Sequence, residues 1–90
     1  MRYLVFEGDS WSKYEILRKT NKNSHKKLCG IIREILRSED PAQGIGKPEP
    51  LKYELSGYFS RRLSHFARVV YYFSKTTVAI VAIGGHYSDK

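Results

Sequence analysis

The stretch RVVYYFSKTTVAIVAI, residues 68–83, decides the fold because it holds two apolar segments separated by a short polar turn. Arg68–Ser74 is rich in β-branched and aromatic residues, which favours a strand whose side chains alternate between two faces. Thr77–Ile83 is almost wholly apolar, which is typical of a central, well-buried strand. Lys75 and Thr76 suit a tight hairpin between them. The stretch therefore predicts two antiparallel strands of one sheet.

Helical periodicity dominates the first half of the chain. Apolar residues recur at helical spacing at Leu28, Ile31, Ile32, Ile35 and Leu36. The stripe predicts a helix from about Ser24 to Arg37 that packs on the sheet, rather than a groove for a partner. A shorter helix over Ser10–Lys19 precedes it, and the polar run Thr20–Asn23 separates the two. Gly30 inside the longer helix costs about 1 kcal/mol relative to Ala, and close packing against the first helix would explain it.

Further short strands complete the pattern. We predict them at Arg2–Glu7, Leu51–Leu55 and Tyr58–Leu63, with a loop over Ser38–Pro50 that holds all three prolines. The order β-α-α-β-β-β-β predicts an α+β fold, with two N-terminal helices packed on one face of a twisted, mainly antiparallel sheet. Ninety residues provide one core, so we expect a single domain over residues 1–90. The opposite face of the sheet would stay open to a long ligand.

The composition favours a nucleic-acid partner. The net charge is +7 and the isoelectric point is about 9.7, which attracts RNA or DNA, although an ordinary basic surface would give the same values. Seven tyrosines shift the balance toward RNA, since unstacked bases lie on aromatic rings. No apolar run approaches the roughly 20 residues of a membrane span, and no secretory signal is visible. With Cys29 as the single cysteine, these features indicate a cytoplasmic protein with no membrane partner.

Three ionisable residues occupy positions that suit catalysis. Glu49 lies between two prolines that stiffen the backbone, as a general base requires, although an exposed loop carboxylate would look the same. Arg68 opens an apolar strand, where it either reaches the sheet end or holds a phosphate by paired N–H donors. His86 follows a Gly-Gly break at the end of the most apolar strand, a place where catalytic groups cluster.

Two further arginines are adjacent, so their side chains point to opposite faces of a strand. At most one of Arg61 and Arg62 should share the face of Arg68. No pair of His or Cys residues has zinc-ligand spacing, so we predict no metal and no cofactor. RNA cleavage can proceed without either, through attack of the 2′-OH on the adjacent phosphorus. A base, an acid and a cation are then needed, and Glu, His and Arg supply them.

Several motifs follow one another along almost the entire chain. They are Ser10-Trp11, the run Gly46–Lys52, Leu55-Ser56-Gly57, Ser60-Arg61-Arg62, Arg68-Val69-Val70-Tyr71 and His86-Tyr87. This ordered set resembles the signature of the YoeB toxin family. The resemblance implies a RelE-like microbial RNase fold and a toxin of a type II toxin–antitoxin system. It implies an endoribonuclease that cleaves messenger RNA in the ribosomal A site and inhibits translation.

The resemblance also assigns roles to individual residues. It implies that Glu49 is the general base, Arg68 stabilises the phosphate, His86 is the general acid and Tyr87 orients or stacks the substrate. The RNA-binding candidates are Lys47, Lys52, Arg61 and Arg62. The implied partners are mRNA in the ribosome, a YefM-like antitoxin that disables the site, and a second copy of the chain in a homodimer. Operator DNA would be bound only by the toxin–antitoxin complex.

Three positions depart from the family pattern. Ala67 stands where relatives carry a His, Gly85 stands where they carry an aromatic residue, and residues 88–90 extend past the usual end. The proposed catalytic groups are all retained, so activity is expected. An alternative is a catalytically weakened relative that acts as an RNA-, ribosome- or antitoxin-binding module. A small ribosomal or RNA-binding protein with a coincidental set of motifs is a further alternative.

Overall fold

Two helices and a five-stranded sheet make up the described part of the chain, which is residues 1–85 of the computed structural model. The elements in chain order are β1 (Tyr3–Phe6), α1 (Ser10–Thr20), α2 (Lys22–Arg37), β2 (Glu49–Pro50), a 3₁₀ helix (Tyr53–Leu55), β3 (Phe59–Arg62), β4 (Arg68–Phe73) and β5 (Thr77–Gly84). Neither described helix is long and apolar enough to cross a membrane.

The strands lie side by side in the order β1-β5-β4-β3-β2. Strands β2 to β5 pair antiparallel with their neighbours, whereas β1 pairs parallel with β5. The predicted hairpin therefore forms, and β5 is an interior strand as expected. The α+β fold with a mainly antiparallel sheet is confirmed, and its parallel edge joins the first strand of the chain to the last described one.

The apolar stripe of α2 covers one face of the sheet. Leu28, Ile31 and Ile35 are fully buried, and they pack against Tyr71 and Ile80 of the central strands. Burying each of these aliphatic side chains contributes about 1.5–3 kcal/mol. The helix begins at Lys22, two residues earlier than predicted, because the Asn21 side chain accepts a hydrogen bond from the Ser24 amide at 3.1 Å and caps it.

Two expectations from the sequence are wrong. Leu51–Leu55 is not a strand: its last three residues form a 3₁₀ helix, where Tyr53 has the left-handed φ of 58° that no strand allows. Pairing with β3 occurs earlier, at Glu49–Pro50. Close packing does not explain Gly30 either, since a Cβ built there would meet nothing within 4 Å.

Candidate functional site

The face of the sheet opposite the helices, which we term the open face, brings Glu49 and Arg68 together. Strand register places Glu49 opposite Ser60, and Ser60 opposite Val70 on β4. Residues paired in this way point to the same side, and so does every second residue along a strand. Arg68 is two residues from Val70. The predicted base and the predicted phosphate ligand therefore share the open face.

The separation of Glu49 and Arg68 suits a bound phosphodiester. Two strand spacings put them about 10 Å apart across the sheet, and two residues put them about 7 Å apart along it. Side chains of this length can reach toward each other across that gap. Glu49 is exposed and Arg68 is half-buried. Among residues 1–85, no carboxylate forms an ion pair with Arg68.

The loop before Glu49 is fastened to the sheet by Arg61. This side chain is 0% exposed, and all five of its N–H groups donate hydrogen bonds. The acceptors are the Tyr71 hydroxyl at 2.9 Å, the Glu34 carboxylate, and the carbonyls of Pro41 at 2.9 Å, Gln43 at 2.8 Å and Ile45 at 3.1 Å. The expectation that Arg61 binds RNA is therefore wrong. It pairs with Val69 on the helix-covered face, and its donors are already used.

The Tyr71 hydroxyl extends this network. It donates to the Pro41 carbonyl at 2.7 Å while it accepts from Arg61. Burial raises the pKa of Tyr71, and the hydrogen bond from Arg61 lowers that pKa in part. The loop touches this network so closely that only glycine fits at position 44. A Cβ there would lie 1.8 Å from Oε1 of Glu34, and φ is 133°.

The remaining RNA-binding candidates are on the surface. Lys47, Lys52 and Arg62 are all exposed, and none of them forms an ion pair within residues 1–85. Arg62 lies opposite Arg68 in the sheet, so the two arginines share the open face. The peptide group that precedes Lys47 is fixed to β3, because the Arg62 amide donates a hydrogen bond to the Gly46 carbonyl at 2.7 Å. Of the two adjacent arginines, Arg62 is therefore the one that faces outward.

A group of side chains on the open face was not singled out from the sequence. Tyr72 lies two residues from Val70, and its ring meets Tyr58 edge to face at a centroid distance of 5.4 Å. Its hydroxyl donates to the Glu7 carboxylate, and this hydrogen bond raises the pKa of Tyr72. The alternation of β4 was a usable signal, since it already placed Tyr72 on the side of Arg68. Both rings are half-buried on the face that carries Arg68, and aromatic rings with an accessible face can stack unpaired bases.

The predicted acid and stacking residue, His86 and Tyr87, lie outside the described residues. The last described strand residue, Gly84, pairs with Arg68, and His86 follows it two residues later in the sequence. Within residues 1–85, no three His, Cys, Asp or Glu side chains are grouped as metal ligands.

Comparisons with known proteins identify the family and agree with the fold. A family model described as "YoeB-like toxin of bacterial type II toxin-antitoxin system" matches residues 6–87. The toxin YoeB of Escherichia coli O6:H1 is 39% identical over 84 residues, which are 93% of this chain and 98% of that protein.

Solved structures of toxins from Staphylococcus aureus are similar throughout. A YoeB dimer has a TM-score of 0.84 at 33% identity, covering 96% of this chain and 98% of that one. A YoeB–YefM complex has a TM-score of 0.83 at 33% identity, covering 97% and 99%.

Proposed function

Since the chain belongs to the YoeB-like toxins of bacterial type II toxin–antitoxin systems, we propose that it is an endoribonuclease that cleaves messenger RNA in the ribosomal A site. The observation that carries the proposal is the shared open face of Glu49 and Arg68, with Arg68 opposite the glycine that precedes His86 by two residues. On this proposal, Glu49, Arg68 and His86 supply the base, the cation and the acid for one phosphodiester.

The proposed reaction is an attack of the 2′-oxygen on the adjacent phosphorus. Glu49 takes the 2′ proton while the new P–O bond forms. The bond from phosphorus to the 5′-oxygen breaks, and His86 gives that oxygen a proton. Arg68 holds the extra negative charge on the phosphate by paired N–H donors. Tyr87 orients or stacks the substrate. The products are a 2′,3′-cyclic phosphate and a free 5′-hydroxyl.

Binding of the RNA would draw on the unpaired basic side chains. Lys47, Lys52 and Arg62 are exposed, Arg62 lies on the open face, and the net charge of +7 attracts an anionic strand. Tyr58 and Tyr72 offer rings for bases. The open face has few walls to hold a flexible strand, so we expect the ribosome to position the mRNA. This requirement also places the action of the toxin in the cytoplasm, where translation occurs.

The titles of the Staphylococcus aureus structures suggest the protein partners. One is a YoeB–YefM complex, and we propose that a YefM-like antitoxin binds this chain and blocks the open face. Another is a YoeB dimer, and we propose that this chain can also form a homodimer. An antitoxin would neutralise the basic surface described above, and operator DNA would be bound by the complex rather than by the toxin alone.

The test is mRNA cleavage on programmed ribosomes by the wild type and by Glu49→Gln, Arg68→Ala and His86→Ala. Removing a general base or acid should lower kcat by about 10²–10⁴-fold. Removing the phosphate ligand should lower it by about 10²–10³-fold. Lys19→Ala, on the exposed side of α1, is the matched control and should cleave normally. Intact mRNA with the wild type, or normal cleavage by all three variants, would contradict the proposal. Ribosome binding without cleavage would favour a non-catalytic module instead.

A further inference from the structure

We propose that a cleft beside the open face binds a second RNA phosphate, distinct from the one that is cleaved. The cleft has a volume of about 450 Å³, and its lining consists of Lys27, Gly46, Lys47, Arg62, Ser64 and His65. Lys27 and His65 have no role in the proposed reaction. The cleft is present whether or not that reaction occurs. The inference that the anion it binds is an RNA phosphate rests on the proposed function.

Three lysine or arginine side chains give the cleft a positive charge that has no ion-pair partner among residues 1–85, and a histidine lies beside them. Lys27 comes from α2, Lys47 from the loop, Arg62 from β3, and His65 from the turn between β3 and β4. The lining includes no carboxylate, and the ion pairs found among residues 1–85 involve none of these side chains. Like charges that converge without compensation repel one another, so a bound anion would relieve the repulsion.

The frame of the cleft is rigid. A Cβ at Gly46 would lie 3.1 Å from both the Arg62 carbonyl and the Ile31 side chain, so the loop lies directly against β3 and α2. The next residue, Lys47, has a left-handed φ of 52°, a conformation that costs a non-glycine residue roughly 1–2 kcal/mol. The surrounding contacts hold Lys47 in this state, which fixes where its side chain leaves the backbone.

The other wall of the cleft is fixed in the same way. The Ser64 hydroxyl oxygen accepts hydrogen bonds from the amides of Phe66 at 3.3 Å and Ala67 at 3.0 Å. The Leu63 amide donates to the Ala67 carbonyl at 2.8 Å. These bonds define the turn that carries His65. The backbone positions from which these side chains extend are therefore fixed before an anion binds, which reduces the entropy lost on binding.

Arg62 connects the cleft to the open face. It lines the cleft and also pairs with Arg68 across β3 and β4, where opposite Cβ atoms lie about 5 Å apart. A strand whose scissile phosphate rests at Arg68 can therefore continue past Arg62 into the cleft. A docked peptide usually relies on apolar side chains that anchor it in a pocket. The lining of the cleft has no large apolar side chain against which such an anchor could pack. The chemistry of the cleft thus favours a phosphate over an acidic peptide.

The experiment measures binding of a fluorescent single-stranded RNA whose 2′-oxygens are all methylated, so that no 2′-OH can attack. Lys27→Glu reverses one charge of the cleft, and Lys26→Glu is the matched control because Lys26 is exposed on the same helix but does not line the cleft. We expect Kd to rise at least fivefold more for Lys27→Glu than for Lys26→Glu. We also expect the Lys27→Ala salt dependence of log Kd to lose about 0.7 in slope, the value for one phosphate contact on a single strand.

Cleavage kinetics separate this inference from the proposed reaction. On programmed ribosomes, Lys27→Glu should raise KM and leave kcat unchanged, since Lys27 has no role in the proposed reaction. If Lys27→Glu weakens RNA binding but the wild type does not cleave mRNA, the result supports the cleft and contradicts the proposed function. Equal Kd values for Lys27→Glu and Lys26→Glu would overturn the proposal that the cleft binds RNA and would leave the proposed cleavage activity unaffected. Weaker antitoxin binding with unchanged RNA binding, or no wild-type RNA binding at low salt, would overturn it as well.

Discussion

Replacing Arg61 by methionine should destabilise the protein more than any other single change at a charged residue of the sheet. Methionine has a similar length but cannot donate hydrogen bonds, so the carbonyls of Gln43 and Ile45 lose the Arg61 donor, and the Pro41 carbonyl keeps only the Tyr71 hydroxyl. The Glu34 carboxylate loses its ion pair as well. Removing one member of a buried pair typically costs about 3–5 kcal/mol. Because the Glu34 side chain is 31% exposed, we expect the lower end, about 3 kcal/mol.

The loss is large against the total stability of a small domain, which is about 5–15 kcal/mol. In a domain of this size, 1 kcal/mol shifts Tm by about 4–8 °C, so Arg61→Met should lower Tm by about 12–24 °C. The matched control is Arg62→Met, the adjacent and exposed arginine, which should change stability by less than about 0.5 kcal/mol. Thermal unfolding followed by circular dichroism measures both variants.

A double-mutant cycle with Glu34→Gln then isolates the pair. Its coupling energy should exceed about 0.5 kcal/mol, as for other residues in direct contact. If Arg61→Met and Arg62→Met unfold within about 4 °C of each other, Arg61 does not fasten the loop, and the reasoning is refuted. If Arg61→Met still folds, the loop before Glu49 should be less well fixed, and kcat for mRNA cleavage should also fall.

Three further expectations concern backbone and pH. Gly30→Ala should stabilise α2 by about 1 kcal/mol, since the new methyl group meets open space, and a lower Tm would contradict this. Gly44→Ala should lower Tm by more than Gly8→Ala does. Both glycines have a positive φ, but a Cβ meets the Glu34 carboxylate at Gly44 and open space at Gly8. Equal decreases in Tm would refute the clash. Burial raises the pKa of Tyr71, so the folded state keeps this proton longer than the unfolded state. Its stabilising contribution is present below the ordinary pKa of 10.0 and is lost as the pH rises above it. The free energy of unfolding, measured in urea, should thus fall above pH 10, and a flat profile would contradict the assignment.

The elements of the fold follow from local patterns in the sequence. The stripe from Leu28 to Leu36 predicts α2, and the alternation within Arg68–Ser74 predicts β4, because each pattern repeats with the period of its own element. The segment Leu51–Leu55 misled the prediction. Its apolar residues resemble a strand, but the left-handed backbone of Tyr53 comes from the way the chain turns between β2 and β3, which composition does not encode.

The candidate site depends on register, which is a tertiary property. Residue spacing cannot show that Glu49 pairs with Ser60, and only this pairing puts Glu49 on the face of Arg68. The two adjacent arginines illustrate the same point. Their alternation requires opposite faces, yet which one is buried depends on the position of β3 over Glu34 and the loop. The sequence therefore predicts the candidates, and the sheet selects among them.

The parallel edge of the sheet has a consequence for the synthesis of the toxin. Tyr3 pairs with Thr77, so among residues 1–85 the first strand has β5 as its single strand neighbour. The apolar side of α2 also lacks Val78 and Ile80 until that strand exists. Domains tend to fold as units while the chain emerges at about 5–20 residues per second, and we expect this core to form only after β5, its last described strand, has been synthesised. A chain that still lacks β5 therefore has an incomplete core, and its first strand has no partner strand among residues 1–85.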